Sequence, residues 1–233
     1  MKIEIKKKKM LVGIIFLISL LLIGSIFVRG AFQNNYSVED YYVDEDTAWK
    51  YAVAHLAEFV AGDTPGLEDW NGAQVQQDPV TIYDIHEKKL FYTFTVTKGG
   101  KAIGEMEMAA SKVLGCIMHR MILSGPLDRV SMKQKARDIA KKEYPEWEIR
   151  STKSVCYSYP MEGVMLTLVK PETKEEKTVI IDTYTSMEVP LQEPKNEGDF
   201  GAWSLYDKIP AGERGKMVEN WNENKRIITT KQP

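Results

Sequence analysis

Cys116 and His119 are the close Cys/His pair of the sequence. A thiol beside an imidazole is the beginning of a nucleophilic site. It becomes one only if the base reaches the thiol and backbone or side-chain donors await an oxyanion. The stretch Val113–Met118 reads as a short strand. Residues three apart on a strand point to opposite faces, so this pair is not expected to meet locally. The other histidines, His55 and His86, carry no pattern that sets either beside Cys116. No catalytic residue is therefore expected.

Cys156 is the second thiol. A disulfide between Cys116 and Cys156 would close a loop of about 40 residues and contribute roughly 4 kcal/mol on the chain-entropy model. It requires Cα atoms within about 7 Å. Two separately buried cysteines are the other reading, and both stay open. His55 lies on the apolar face of a helical pattern, where a packed histidine is expected, because a metal would need further converging ligands. Asp84 and Asp182 stand beside turns, and Glu105 and Glu107 alternate along a strand as its expected wet face. There is no Gly-rich phosphate loop, no His-Glu-x-x-His and no Gly-x-Ser-x-Gly. Metal and cofactor sites are expected to be absent.

The elements that would position these residues follow from periodicity. Asp44, Glu45 and Asp46 open a helix. Ala48, Tyr51, Ala52, His55, Leu56 and Phe59 then trace one helical face, and Gly62 can stop it. Val80–Ile85 is β-prone, and Leu90–Val96 alternates as a strand with one better-buried face. Lys98-Gly99-Gly100-Lys101 reads as a hairpin turn leading into a strand over Ala102–Ala110. The pattern then restarts. Ser131 and Gln134 suggest a capping box, Met132, Ala136, Ile139 and Ala140 a helical face, and Pro145 its end. Strands are expected at Glu148–Tyr159, Val164–Val169, Thr178–Asp182 and Met187–Pro190. A polar linker, Glu193–Gly201, leads to a charged helix whose Met217, Val218 and Trp221 are expected to dock on the body.

The amino terminus reads as an address. Met10–Val28 is a run of 19 residues without charge, preceded by Lys6–Lys9. As a helix it would be about 28 Å long, matching a hydrocarbon core of about 30 Å. The lysines place that end inside and the remainder outside the cytoplasm. A cleaved signal peptide is the competing reading, although its apolar region is usually about 7–15 residues. The chain has 31 basic and 33 acidic residues. Six of the basic and one of the acidic residues fall in positions 1–29, leaving 25 and 32, a net charge of −7 for the rest. That sign disfavours nucleic acid, which is bound through Lys and Arg on phosphates.

Several segments resemble the pro-domain-like region of secreted papain-fold peptidases of the streptopain kind, and related repeats on archaeal surface proteins. They are Ala48–Phe59, Asp69-Trp70-Asn71-Gly72-Ala73, Ile82-Tyr83-Asp84, Leu90–Val96, Gly99–Gly104 and Ala109-Ala110-Ser111. Ser131–Pro190 is similar to a PepSY-type unit, a helix-plus-sheet module. The likeness implies an inhibitor-like, protein-binding role, with a secreted peptidase as the partner class.

The expected fold is α+β: an N-terminal transmembrane helix, two consecutive helix-plus-antiparallel-sheet units that are PepSY-like, and a short C-terminal helix. The boundaries are 1–31 for the basic stub and anchor, 32–127 and 128–192 for the two units, and 193–233 for the linker and last helix. The expected function is a non-enzymatic, single-pass, membrane-anchored extracytoplasmic protein-binding module, held in the bilayer by residues 10–28, or secreted if that segment is cleaved. A structural surface-layer component is the alternative, and a cysteine-dependent hydrolase a more remote one.

Overall fold

The structure, a computed structural model, describes residues 36–196 and 200–230, with side chains through residue 226. The expected membrane segment 10–28 and part of the expected linker lie outside the described residues. No helix among the described residues is long and apolar enough to cross a membrane.

The body is α+β and mostly sheet, with a C-terminal helix. Helix α1 (Glu45–Ala61) begins where Asp44 accepts a hydrogen bond from the Thr47 backbone N–H, and it ends at Gly62. Four strands follow: β1 (Gln74–Val75), β2 (Val80–Tyr83), β3 (Lys89–Lys98) and β4 (Lys101–Ala109). A fifth, β5 (Met118–Ile122), closes the first half. The second half holds α2 (Arg129–Glu143), β6 (Glu148–Ser158), β7 (Met161–Val169), β8 (Glu176–Asp182) and β9 (Met187–Glu188). Helix α3 (Arg214–Thr230) ends the described chain.

All nine described strands belong to one sheet, in the order β5-β4-β3-β2-β6-β7-β8-β9, with β1 pairing beside β3. Every pairing is antiparallel except one, the parallel contact of Tyr83 with Val155 between β2 and β6. Each half runs outward from that seam. Helix α1 covers Tyr92, Phe94, Val96, Met106 and Met108 on one face of the first half. Helix α2 packs through Ala136 and Ala140 on Val164, Leu166 and Leu168 of the second half. Its first residue reaches Glu105, which points away from α1, so the two helices lie on opposite faces. Parallel central strands with helices on opposite faces are what a two-fold rotation about the strand direction generates.

The segments flanking this sheet complete its core. Val38 is fully buried, and Ser111 Oγ donates to its carbonyl at 3.0 Å. The Trp203 N–H donates to the Tyr157 carbonyl at 2.7 Å, while Ser204 Oγ donates to Asp84 Oδ2 at 2.7 Å. The chain after residue 200 thereby stitches across the seam. Trp221 of α3 is 2% exposed and meets the Tyr51 ring edge-on at 5.5 Å.

Several local expectations need correction. Strand β3 has no better-buried face over Leu90–Phe94, since both are buried: α1 covers one side and the terminal segments pack with Leu90 and Phe91. Phe59 is half-buried, since the core-facing arc of α1 is centred on Ala48, Ala52 and Leu56. The N-cap of α2 is Asp128, which accepts from the Ser131 N–H at 3.0 Å; Gln134 bonds to Asp138 instead. A carboxylate one turn earlier outcompetes the Ser hydroxyl. Val113–Met118 is no strand: Lys112–Leu114 is a 3-10 turn closed by Gly115 at φ 79°, and β5 starts only at Met118. The Gly99–Gly100 hairpin is as expected, both glycines having positive φ, 58° and 78°.

Docking of the last helix is directly measurable. Trp221→Ala should cost about 3–5 kcal/mol in urea unfolding, the range for a large buried aromatic. A loss below about 0.5 kcal/mol would contradict the packing.

Candidate functional site

Glu105 and Glu107 point from β4 toward the face that carries Phe91 and Thr93. They are 3% and 2% exposed, so the expected wet face is instead buried. Arg120, opposite Glu107 on β5, donates to Glu107 Oε2 at 2.9 Å and is also paired with Glu162 Oε1. Arg129, the first residue of α2 and 5% exposed, donates to Glu105 Oε1 at 2.6 Å and to Glu162 Oε2 at 3.0 Å. Three carboxylates thus meet two guanidiniums in the interior.

The geometry of this cluster constrains the sheet. Glu162 sits on β7 and Arg120 on β5, five strand spacings apart in sheet order. A flat sheet would separate them by about 24 Å, beyond the reach of an Arg–Glu pair. The sheet is therefore bent so that its two halves face one another across the charges. Two ion pairs of the cluster cross between halves, Arg120 to Glu162 and Arg129 to Glu105.

The charges do not balance. Glu105 Oε2, Glu107 Oε1 and Arg120 Nε have no hydrogen-bond partner among the described residues. Burial pushes the Glu107 carboxyl up to about 7; Arg120 opposes that rise and the Glu162 charge adds to it. A buried carboxylate half-protonated near neutrality can hold or release a proton.

Cys116 and His119 do meet, contrary to expectation. The Sγ to Nε2 distance is 3.1 Å. The left-handed Gly115 turns the chain just before β5, so strand alternation never applied to Cys116. The pair nevertheless does not carry the protonation of a preformed thiolate–imidazolium couple. Burial raises the Cys116 thiol, while burial and the nearby Arg120 charge push His119 down to about 4. A thiolate–imidazolium pair needs shifts in the opposite directions. The ring is instead packed, its centroid 4.7 Å from Phe91 and 6.0 Å from Tyr159.

The remaining candidates are structural. Cys156 is buried, and both cysteines are free thiols in the structure. His55 is half-buried against Phe59, with ring centroids 5.8 Å apart. Asp84 Oδ1 accepts from the backbone N–H groups of His86 and Lys88, and Asp182 Oδ1 from Tyr184, so both close turns as expected. No metal-binding group of three His, Cys, Asp or Glu side chains occurs among the described residues.

Two further features could accept a partner. Strand β5 ends the sheet and, among the described residues, pairs with β4 alone. An apolar groove of about 440 Å³ opens beside α1, walled by Trp49, Val53, Leu56, Trp70 and Val75.

Comparison with family models, curated proteins and solved structures gives no match. The chemistry rests on the geometry alone.

A signal for the buried cluster was present in β3. Leu90-Phe91-Tyr92-Thr93-Phe94 places aromatics on both faces, so the face that Glu107 shares with Phe91 had to be covered. Arg120, Arg129 and Glu162 carry no sequence pattern that joins them.

Thiol reactivity tests the Cys116 assignment. In the folded protein at pH 7.5, both cysteines should react with iodoacetamide more slowly than glutathione does, and both should react freely in urea. Alkylation of Cys116 faster than glutathione would contradict the protonation state described.

Proposed function

We propose that the protein is a non-enzymatic binding module anchored at the outer face of a membrane, which takes an extended segment of a protein partner along β5. The observation that carries this reading is the sheet edge: Met118–Ile122 is bonded to β4 on one side and pairs with no strand on the other among the described residues. Unpaired strand edges accept added strands through backbone hydrogen bonds. The mismatched protonation of Cys116 and His119 argues against the hydrolase alternative.

The partner class follows from the resemblance to an inhibitor-like pro-region, with each half read as a PepSY-like unit. The segments that carry that resemblance lie in or beside α1, β2, β3, β4 and the turn at Trp70. A secreted papain-fold peptidase is the partner class it implies. The self-associating surface component draws support from the opposite edge, where Tyr184 and Met187 stand 65% and 56% exposed beside β9.

The test pairs binding with turnover. The purified protein should show no ester or peptide hydrolysis, and a papain-fold peptidase should be slowed by it while amide exchange across 118–122 falls. Hydrolysis abolished by Cys116→Ala would overturn the reading, as would peptidase binding that leaves the β5 amides unprotected. Concentration-dependent dimers that protect 184–188 instead would favour the surface component. Outward topology is separately checkable: protease added to intact cells should digest the body, and complete protection would contradict it.

A further inference from the structure

The charge cluster joins four elements, and each contributes a different part. Strand β4 supplies Glu105 and Glu107, β5 Arg120, α2 Arg129, and β7 Glu162. With all five side chains ionised the interior carries one net negative charge. One added proton makes it neutral. Two buried carboxylate oxygens of the cluster stand open to that proton, Glu105 Oε2 and Glu107 Oε1, neither with a partner among the described residues, and Glu107 is the one with an open polar neighbour across the sheet. Thr93 Oγ1, on the residue paired with Glu107 across β3 and β4, is likewise buried without a partner.

We propose that this cluster is a proton-binding clamp: with one proton held at Glu107 the two halves of the sheet are locked together, and loss of that proton loosens the hold of α2 and β7 on β4 and β5. The interior favours a neutral cluster over a charged one because an uncompensated buried charge is costly. The clamp acts across the seam because two of its own ion pairs, Arg120 to Glu162 and Arg129 to Glu105, cross it.

Other ionisable groups face the site from each packed element. Cys156 of β6, whose thiol is raised by burial, stands opposite Glu162. Tyr159, in the turn between β6 and β7, is raised by burial and sits within the field of Glu107 and Arg120. His119 of β5 is lowered to about 4, and Lys133 of α2 is lowered by burial and by Arg129 and Arg137. Both Tyr159 and Cys156 stay protonated, and His119 stays neutral, across the range in which Glu107 titrates.

The sign follows from linkage. The Glu107 carboxyl is raised from 4.5 to about 7 in the folded state. Between those values the folded protein holds a proton that the unfolded chain has released, so stability falls as pH rises. The loss is complete above the folded value.

The test is urea unfolding of the protein and of Glu107→Gln from pH 5 to 8.5. Gln is a neutral isostere of the protonated side chain, and all three histidines are common to both proteins, so the difference isolates Glu107. The folding equilibrium constant of the unaltered protein should fall relative to the variant by between about ten-fold and three-hundred-fold over that range. Amide exchange in 129–133 should quicken from pH 6 to 8 beyond the intrinsic base-catalysed rate, and the variant should suppress that excess. Should the variant fail to fold, the Glu107 carboxyl carbon in the unaltered protein can be titrated by NMR. A midpoint between about 6 and 8 supports the clamp. Parallel pH profiles, or a carboxyl midpoint near the ordinary value of about 4.3, would overturn it.

Discussion

Four buried charges and the half-buried Arg120 fix the form of this molecule. A nine-stranded sheet with one parallel seam could lie open, since β2 and β6 share a single register pair. It is held bent because Arg120 and Arg129 must reach carboxylates on both sides of that seam. Buried ion pairs of this kind add little net stability over an apolar core of equal volume. Their consequence is specificity: any other relation of the halves strands a charge in the interior. The terminal segments reinforce the same geometry, through Trp203 bonding to one half and Ser204 to the other.

The bend has a consequence for binding. Folding the two halves toward each other buries Glu105 and Glu107 of β4 and half-buries Arg120 of β5, yet leaves β5 as the last described strand of the sheet. The strand proposed to receive a partner is thus the strand that carries Arg120. Arg120 anchors it in the clamp, while its other edge pairs with no strand among the described residues. Protonation of the cluster and order along the edge are therefore physically linked in the proposed function.

Much of the fold was legible in the sequence, and for identifiable reasons. Helix α1 and the β3–β4 hairpin announce themselves through local chemistry: Asp44 caps, Gly62 stops, and two glycines turn. The restart at α2 and the docking of Trp221 follow from apolar spacing. The candidate site was not legible. Glu105 and Glu107 have the alternation of a solvated strand, and only contacts distant in sequence, to Arg129 and Glu162, reverse that meaning. The Cys116–His119 contact was missed because the strand starts only at Met118, after the left-handed Gly115, so strand alternation does not reach Cys116.

The clamp across the seam is tested most directly by a double-mutant cycle on Arg129 and Glu105, whose side chains meet at 2.6 Å from opposite halves. Urea unfolding would be measured for the protein, Arg129→Met, Glu105→Gln and the double variant at pH 6. A coupling energy above about 1.5 kcal/mol is predicted for a buried, charge-assisted pair. Additive effects, within about 0.5 kcal/mol, would contradict the clamp.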